Sequence, residues 1–383
     1  MTGLPRPAPL AAALAVVLAV LAGCESFAGQ TTARGDVEEI TVVSDSATWA
    51  GPVGEAIRAE LAQPIATLPG NQGAFKLNFQ PLTSRFFDQL KLRRALVFAA
   101  PIDADGPIGD FIRARVGEGG LDAVRSGGVA AFNLRPDLWA NGQLVVIATA
   151  ADERALAREF LQRGPELRAA FNALARENTT GEMFARLRQE DLEADLLDAH
   201  DYRVQIQHDY VQVQDTAATA GGLDGSFVRY RRVLSDTWRD FFVFAADGVE
   251  TLPPPAEIDR ITNDLLETFA RGTLDSSYVQ LDDQRPMTRD TAEIAGRPAQ
   301  ETRGFWYMTN DIMGGSFVRY AFVDPATDRL YVFYGMTFAP DRRLDKRSFL
   351  RQMEAVAYTF RTRADLEAEA RAEGGAAEGG AES

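Results

Sequence analysis

Gly225-Ser226-Phe227-Val228-Arg229-Tyr230 recurs letter for letter as Gly315-Ser316-Phe317-Val318-Arg319-Tyr320. A six-residue identity inside one chain marks an internal repeat. Each copy is followed by a turn and a second aromatic run, Phe241-Phe242-Val243-Phe244 and Tyr331-Val332-Phe333-Tyr334. Strand alternation sends Phe227 and Arg229 to one face and Val228 and Tyr230 to the other, and likewise in the second copy. The stretch therefore reads as two equivalent hairpins in one sheet. Its arginines carry two readings. Each snorkels to the sheet edge or pairs with a local carboxylate, or Arg229 and Arg319 converge on one anionic ligand across a pseudo-twofold axis.

Working outward, Tyr202–Gln207 and Tyr210–Gln214 alternate strictly, and Ser226–Val233 with Trp238–Phe244 forms the first hairpin. Pro253-Pro254-Pro255 interrupts the strands, and Ile258, Ile261, Leu265 and Phe269 then recur at helical spacing up to Gly272. Strands resume at Thr302–Met308, Ser316–Val323 and Leu330–Phe338. Asp345 precedes a last helix with Phe349, Leu350, Met353, Val356 and Phe360 inward, and Glu, Ala and Gly dominate from Asp365 on. That end reads as a solvated, disordered acidic tail.

Upstream, Glu39–Val43, Phe75–Phe79, Ala95–Phe98 and Leu144–Ile147 read as strands. Helices carry Val53, Ile57 and Leu61, then Ile108, Ile112 and Val116, then Leu156, Phe160 and Leu161, with a break at Gly164-Pro165. This order suggests helices on one face of a mostly antiparallel sheet. The expected class is α+β in two halves, each a mostly antiparallel sheet packed with helices, the second half strand-rich. The boundaries expected are a signal peptide over 1–23, a tether over 24–37 and an N-terminal domain over 38–178. A connecting helix over 179–200, a C-terminal domain over 201–363 and a disordered tail over 364–383 complete the chain.

The N-terminus supplies an address. Leu10–Ala22 is an unbroken apolar run, shorter than the roughly 20 residues a membrane-spanning helix needs. It reads as a signal-peptide core. It closes on Leu21-Ala22-Gly23-Cys24, which resembles the bacterial lipobox, with Leu21, Ala22 and Gly23 recognised by the signal peptidase and the Cys24 thiol taking the lipid. Cys24 is the chain's one cysteine, which suits an oxidising compartment once it is lipidated. Glu25 stands where Asp often marks inner-membrane retention, so the expected location is the cell envelope, lipid-anchored, on the periplasmic side of the outer membrane.

Composition narrows the chemistry. Across 383 residues, 40 Lys+Arg against 55 Asp+Glu give a net charge of −15, which disfavours nucleic acid as a partner. Arginine dominates the basic residues; Lys76, Lys91 and Lys346 are the lysines. One cysteine and two histidines leave little for a metal, and no metal or other cofactor is expected. His200-Asp201-Tyr202 and His208-Asp209-Tyr210 repeat a triplet, read as strand-end polar residues. Asp240 and the Asp282-Asp283 pair are candidate carboxylates, but no catalytic residue is assigned. Trp49, Trp139, Trp238 and Trp306 serve packing or line a glycan or lipid groove.

Met313-Gly314-Gly315-Ser316-Phe317-Val318, then Phe338-Ala339-Pro340, Lys346-Arg347 and Glu354-Ala355, resembles the C-terminal signature of an uncharacterised lipoprotein family. That family, a domain of unknown function, is typical of Bacteroidetes-like bacteria. Asp137-Leu138-Trp139-Ala140 with Gln143 resembles its N-terminal half. The family often has Pro at the place of Ser316 and Ile-Pro at the place of Gln207-His208. The resemblance implies an envelope lipoprotein with two α+β halves and implies no activity. The expected function is a non-catalytic binding or scaffold module at the membrane surface, partnered by the membrane through Cys24 and by an envelope protein or ligand. The alternatives are a carrier of a hydrophobic ligand and a carboxylate-using envelope hydrolase.

Overall fold

The computed structural model describes residues 30–70, 72–235 and 237–379. Leu21, Ala22, Gly23 and Cys24 lie outside the described residues. The first half holds strands β1 (Glu39–Val43), β2 (Lys76–Gln80), β3 (Ala95–Ala99), β4 (Ala131–Pro136) and β5 (Leu144–Thr149). Its helices are α1 (Ser46–Ala50), α2 (Pro52–Leu61), α3 (Phe87–Leu90), α4 (Gly106–Val116), α5 (Glu118–Arg125) and α6 (Glu153–Phe184). Strand order is β2-β1-β3-β5-β4, parallel except where β4 runs against β5.

The strand direction corrects the expectation of a mostly antiparallel first sheet covered on one face. β3 and β5 are buried at every position. Strands apolar on both faces need cover on both, and parallel neighbours need crossover helices. α2 and α6 cover one face through Val53, Ile57, Leu156 and Phe160. α4 and α5 cover the other through Ile108, Ile112 and Val124.

α6 runs through Gly164-Pro165, where the sequence suggests a break. Packing explains it. A Cβ at position 164 would sit 1.9 Å from a Glu60 carboxylate oxygen, so glycine lets α2 and α6 close together across the proline. Past α6, Leu187 takes φ +60° and α7 (Glu190–His200) begins. The expected single helix over 179–200 is thus the end of α6, a turn and α7.

The second half runs β6 (Tyr202–Arg203), β7 (Val211–Ala220), β8 (Leu223–Val233), β9 (Trp238–Asp247) and α8 (Pro255–Phe269). It continues with β10 (Val279–Leu281), β11 (Thr288–Ile294), β12 (Arg297–Met308), β13 (Gly314–Asp324) and β14 (Arg329–Phe338). It closes with α9 (Lys346–Tyr358), β15 (Arg361–Thr362) and α10 (Arg363–Gly379). The large sheet is antiparallel, ordered β10-β12-β13-β14-β9-β8-β7, with β11 added on β12. The mixed α+β class and the strand-rich second half stand as expected.

The repeated hairpins β8-β9 and β13-β14 lie side by side, joined through β9 and β14. Gly225 and Gly315 begin the two copies for the same reason. A Cβ there would lie 2.2 Å from the Ala245 carbonyl oxygen and 2.0 Å from that of Thr337. One face packs on α8 through Phe227, Phe242, Phe317 and Tyr334. The other packs on α9 through Tyr230, Phe241, Phe333 and Val318.

The tail also departs from expectation, because Arg363–Gly379 is helical. Its first turn is anchored. Asp365 accepts from the Thr362 amide at 2.8 Å and pairs with Arg297 at 2.8 Å. Alanine and glutamate are good helix formers, so a fixed first turn propagates.

Candidate functional site

The repeat arginines show what the sheet does with charge. Arg229 stands opposite Phe242, Phe242 opposite Tyr334, and Tyr334 opposite Arg319. The two arginines thus share one cross-strand row, three strand spacings or about 14 Å apart, on the α8 face. Both are buried, and each has its own carboxylate. Arg229 makes two 2.7 Å bonds to Asp240 and a third to the Phe269 carbonyl at the end of α8. Arg319 donates to Asp259 at 2.6 Å and to Thr262 at 3.0 Å, near the start of α8. Ten helical residues span about 15 Å, the length of the row. The pair grips the two ends of one helix, which corrects the shared-anion reading: the guanidiniums are spent on Asp240 and Asp259.

Other singled-out residues are similarly committed. Asp282 pairs with Arg285 at 3.1 Å, and His200 Nε2 lies 2.9 Å from Asp215. His208 is exposed in the turn before β7. Trp49 stacks on Phe79, Trp139 packs among Phe87, Phe98 and Phe111, and Trp238 meets Trp306 and Phe338. Asp137 accepts from the Gly142 and Gln143 amides, while the Gln143 side chain donates to the Lys91 and Arg93 carbonyls. The N-terminal signature residues Asp137 and Gln143 therefore build a turn. At the switch in strand order between β1 and β3, Ser44 donates to the Ala99 carbonyl at 2.6 Å.

The richest chemistry lies between the halves, where α6 packs on α9. A line of alternating charge crosses there. Asp36 meets Lys76 at 3.0 Å, Lys76 meets Asp345 at 2.8 Å, and Asp345 meets Arg347 at 2.8 Å. Glu38 then joins Arg347 at 3.0 Å to Arg351 at 2.8 Å. Arg351 reaches Glu354 at 3.8 Å, and Arg303 links Glu354 at 2.5 Å to Glu301 at 2.6 Å. Glu38, Arg347, Arg351 and Glu354 are all buried. Burial pushes the Glu38 carboxyl above its ordinary range despite its two arginines. At Glu354 burial also pushes upward, but Arg303 and Arg351 overcome it and hold the carboxyl at about 2. Hydrogen bonds to neutral acceptors reinforce the seam: Arg351 to Asn172 at 3.2 Å, Arg347 to the Gly73 carbonyl at 2.5 Å, and Ser316 to the Thr67 carbonyl at 2.8 Å. Ser316 thus supplies a hydroxyl across the junction.

Beside this seam opens a groove of about 760 Å³. Pro69 and Gly70 come from the first half, and Ile312, Met313, Phe338 and Pro340 from the second. Arg342 and Lys346 provide cationic groups, and Ile312 projects fully into solvent. Part of the C-terminal signature lies here: Met313, Gly314, Phe338, Ala339, Pro340 and Lys346 line the groove, while Arg347 and Glu354 belong to the charge line. The sequence showed those residues as a signature; it did not show that Glu38, far upstream, would complete them.

Fold and junction describe two bodies, and each is similar to a domain of unknown function. Residues 33–184 match the family described as Domain of unknown function (DUF8532), and residues 189–359 match Domain of unknown function (DUF4837). The resemblance to an uncharacterised domain holds, carried by two families where one was expected to span the mature chain. No curated protein matches the chain. Among the described residues, no helix is long and apolar enough to cross a membrane.

Proposed function

We propose that the protein is a lipid-anchored envelope module that binds a partner or ligand in the groove between its two halves and performs no chemistry on it. The observation that carries this is convergence: the C-terminal signature residues and the Pro69-Gly70 loop of the other half meet around one open groove of mixed polarity, in which apolar side chains are set beside Arg342 and Lys346. Open apolar surface with a polar rim is the usual form of an interaction site. The paired carboxylates at Asp240, Asp259 and Glu354 act as counter-ions to arginines, which weighs against the hydrolase alternative. The groove's openness favours a partner segment over the enclosed cavity a lipid carrier needs. The lipobox supports anchoring at Cys24 within the envelope, and Glu25 after it favours the periplasmic side of the outer membrane.

Two substitutions test the two parts. Cys24→Ser is expected to move the folded protein to the soluble envelope fraction, and continued membrane retention would remove the anchor. Ile312→Asp with Arg342→Glu is expected to abolish co-isolation of species captured with the wild-type protein from membranes, at unchanged melting temperature. Identical captured species from both proteins would exclude the groove.

A further inference from the structure

We infer that the face carrying Arg85, Phe86 and Lys91 lies against an anionic lipid surface beside Cys24; this rests on the anchor proposed above. Chain length sets the geometry. The Gln30 side chain donates to the Asp137 carbonyl at 3.1 Å, and Asn141 donates back to the Gln30 carbonyl at 3.4 Å. The Ala33 amide bonds the Asn141 carbonyl at 2.8 Å, and the Arg34 amide bonds that of Leu92 at 2.7 Å. Even fully extended, the chain from Cys24 to Gln30 spans at most about 20 Å. Acyl chains at Cys24 therefore keep Gln30 within that distance of the headgroups, and with it the turn at 137–141 that it bonds.

The chemistry of the adjoining surface fits that position. Residues 81–94 contain Arg85, Lys91, Arg93 and Arg94 against Asp88 alone, in a chain of net charge −15. Phe86 is 52% exposed, with the Arg85 guanidinium 5.5 Å from its ring centre. Lys91 lies 5.2 Å over Phe87, and Phe87 packs edge-on against Trp139, which belongs to the turn that holds Gln30. Arg115 extends the pattern, 3.6 Å over Phe111. Cations with apolar stems beside an exposed ring, as at Phe86, and over half-buried ones, as at Phe87 and Phe111, are groups that settle at headgroup level. Part of the charge is answered locally, by Asp88 on Lys91 at 2.9 Å, Glu182 on Arg94 at 2.6 Å and Glu39 on Arg93 at 3.9 Å. The contact is accordingly weak by itself. A tether makes weak contact sufficient, because it raises the effective concentration of the face at the membrane. The lipid holds the protein, and this face sets which way the body points.

The test is hydrogen exchange on the full-length lipidated protein, reconstituted in phosphatidylethanolamine vesicles with and without phosphatidylglycerol. Exchange across residues 81–94 is expected to slow by about threefold or more when the anionic lipid is present. Arg85→Glu with Lys91→Glu is expected to remove that difference while leaving the melting temperature unchanged. Equal exchange in both vesicles, with anchoring still dependent on Cys24, overturns the face and spares the anchor. Protection that requires added envelope protein assigns the face to a protein partner and overturns it too. Retention of Cys24→Ser in membranes overturns the anchor, and with it the tether argument.

Discussion

Asp240 is buried and holds both Arg229 and Arg231 at 2.7 Å. Removing Arg229 leaves buried Asp240 with the more exposed Arg231 as its remaining counter-ion, at a cost of about 3 kcal/mol. Arg229→Ala should lower unfolding stability by about that amount in a urea titration, and Arg229→Met with Asp240→Leu should recover most of it. Glu354 gives a pH-dependent counterpart. Its carboxyl is held at about 2, below the 4.5 of an ordinary glutamate, so its contribution is present above 4.5 and is lost as pH falls towards 2. Glu38 shifts upward and acts with the opposite sign, so a difference measurement isolates Glu354. The stability gap between wild type and Glu354→Gln should shrink by about 1 kcal/mol between pH 5 and pH 3.5. A gap that stays constant over that window would remove Glu354 from the charge line.

At the scale of elements, helix α6 carries a proline at position 165 inside 32 residues. A mid-helix proline lacks the amide that would bond four residues back, and costs about 3 kcal/mol relative to alanine. Leu161, whose carbonyl loses that partner, is half exposed, so water takes part of the deficit. Pro165→Ala should therefore stabilise the protein by about 1–2 kcal/mol in thermal unfolding, with unchanged helix content. A destabilised variant would mean that the helix needs a kink there. The hairpins were legible because alternation and identity were both printed in the chain: the structure puts Phe227 with Arg229 and Val228 with Tyr230 on the faces expected. The first sheet was less legible. The continuous apolar runs at Ala95–Ala99 and Leu144–Thr149 already required cover on both faces, and that requirement, not alternation, determined its parallel order.

Across the whole molecule, two domains that match separate families meet through a mostly ionic seam. Arg351 sits at its centre, touching Glu38 and Asn172 of the first half and Glu354 of the second. Arg351→Ala leaves Glu38 with Arg347 and Glu354 with Arg303 but cuts the link between the two pairs, and calorimetry should show the unfolding transition separating into two as the halves lose their coupling. A single sharp transition in the variant would show that the apolar contacts of α6 with α9 suffice to join them.

The sequence by itself determined what depends on near neighbours: the lipobox expectation, the strand and helix periods, the repeated hairpin and the faces its side chains take. These follow from spacing along the chain, which a strand or helix converts directly into direction. Tertiary structure decided what depends on partners distant in sequence. Arg229 and Arg319 were readable as equivalent, but only the packing of α8 across the sheet brings Asp259 and the Phe269 carbonyl to them. Glu38 and Arg351 are 313 residues apart, and their ion pair exists because two separately encoded cores place α6 on α9. A charge carries no periodicity that names its counter-ion, so the seam, the groove beside it and the two ends of α8 became visible only in the folded chain.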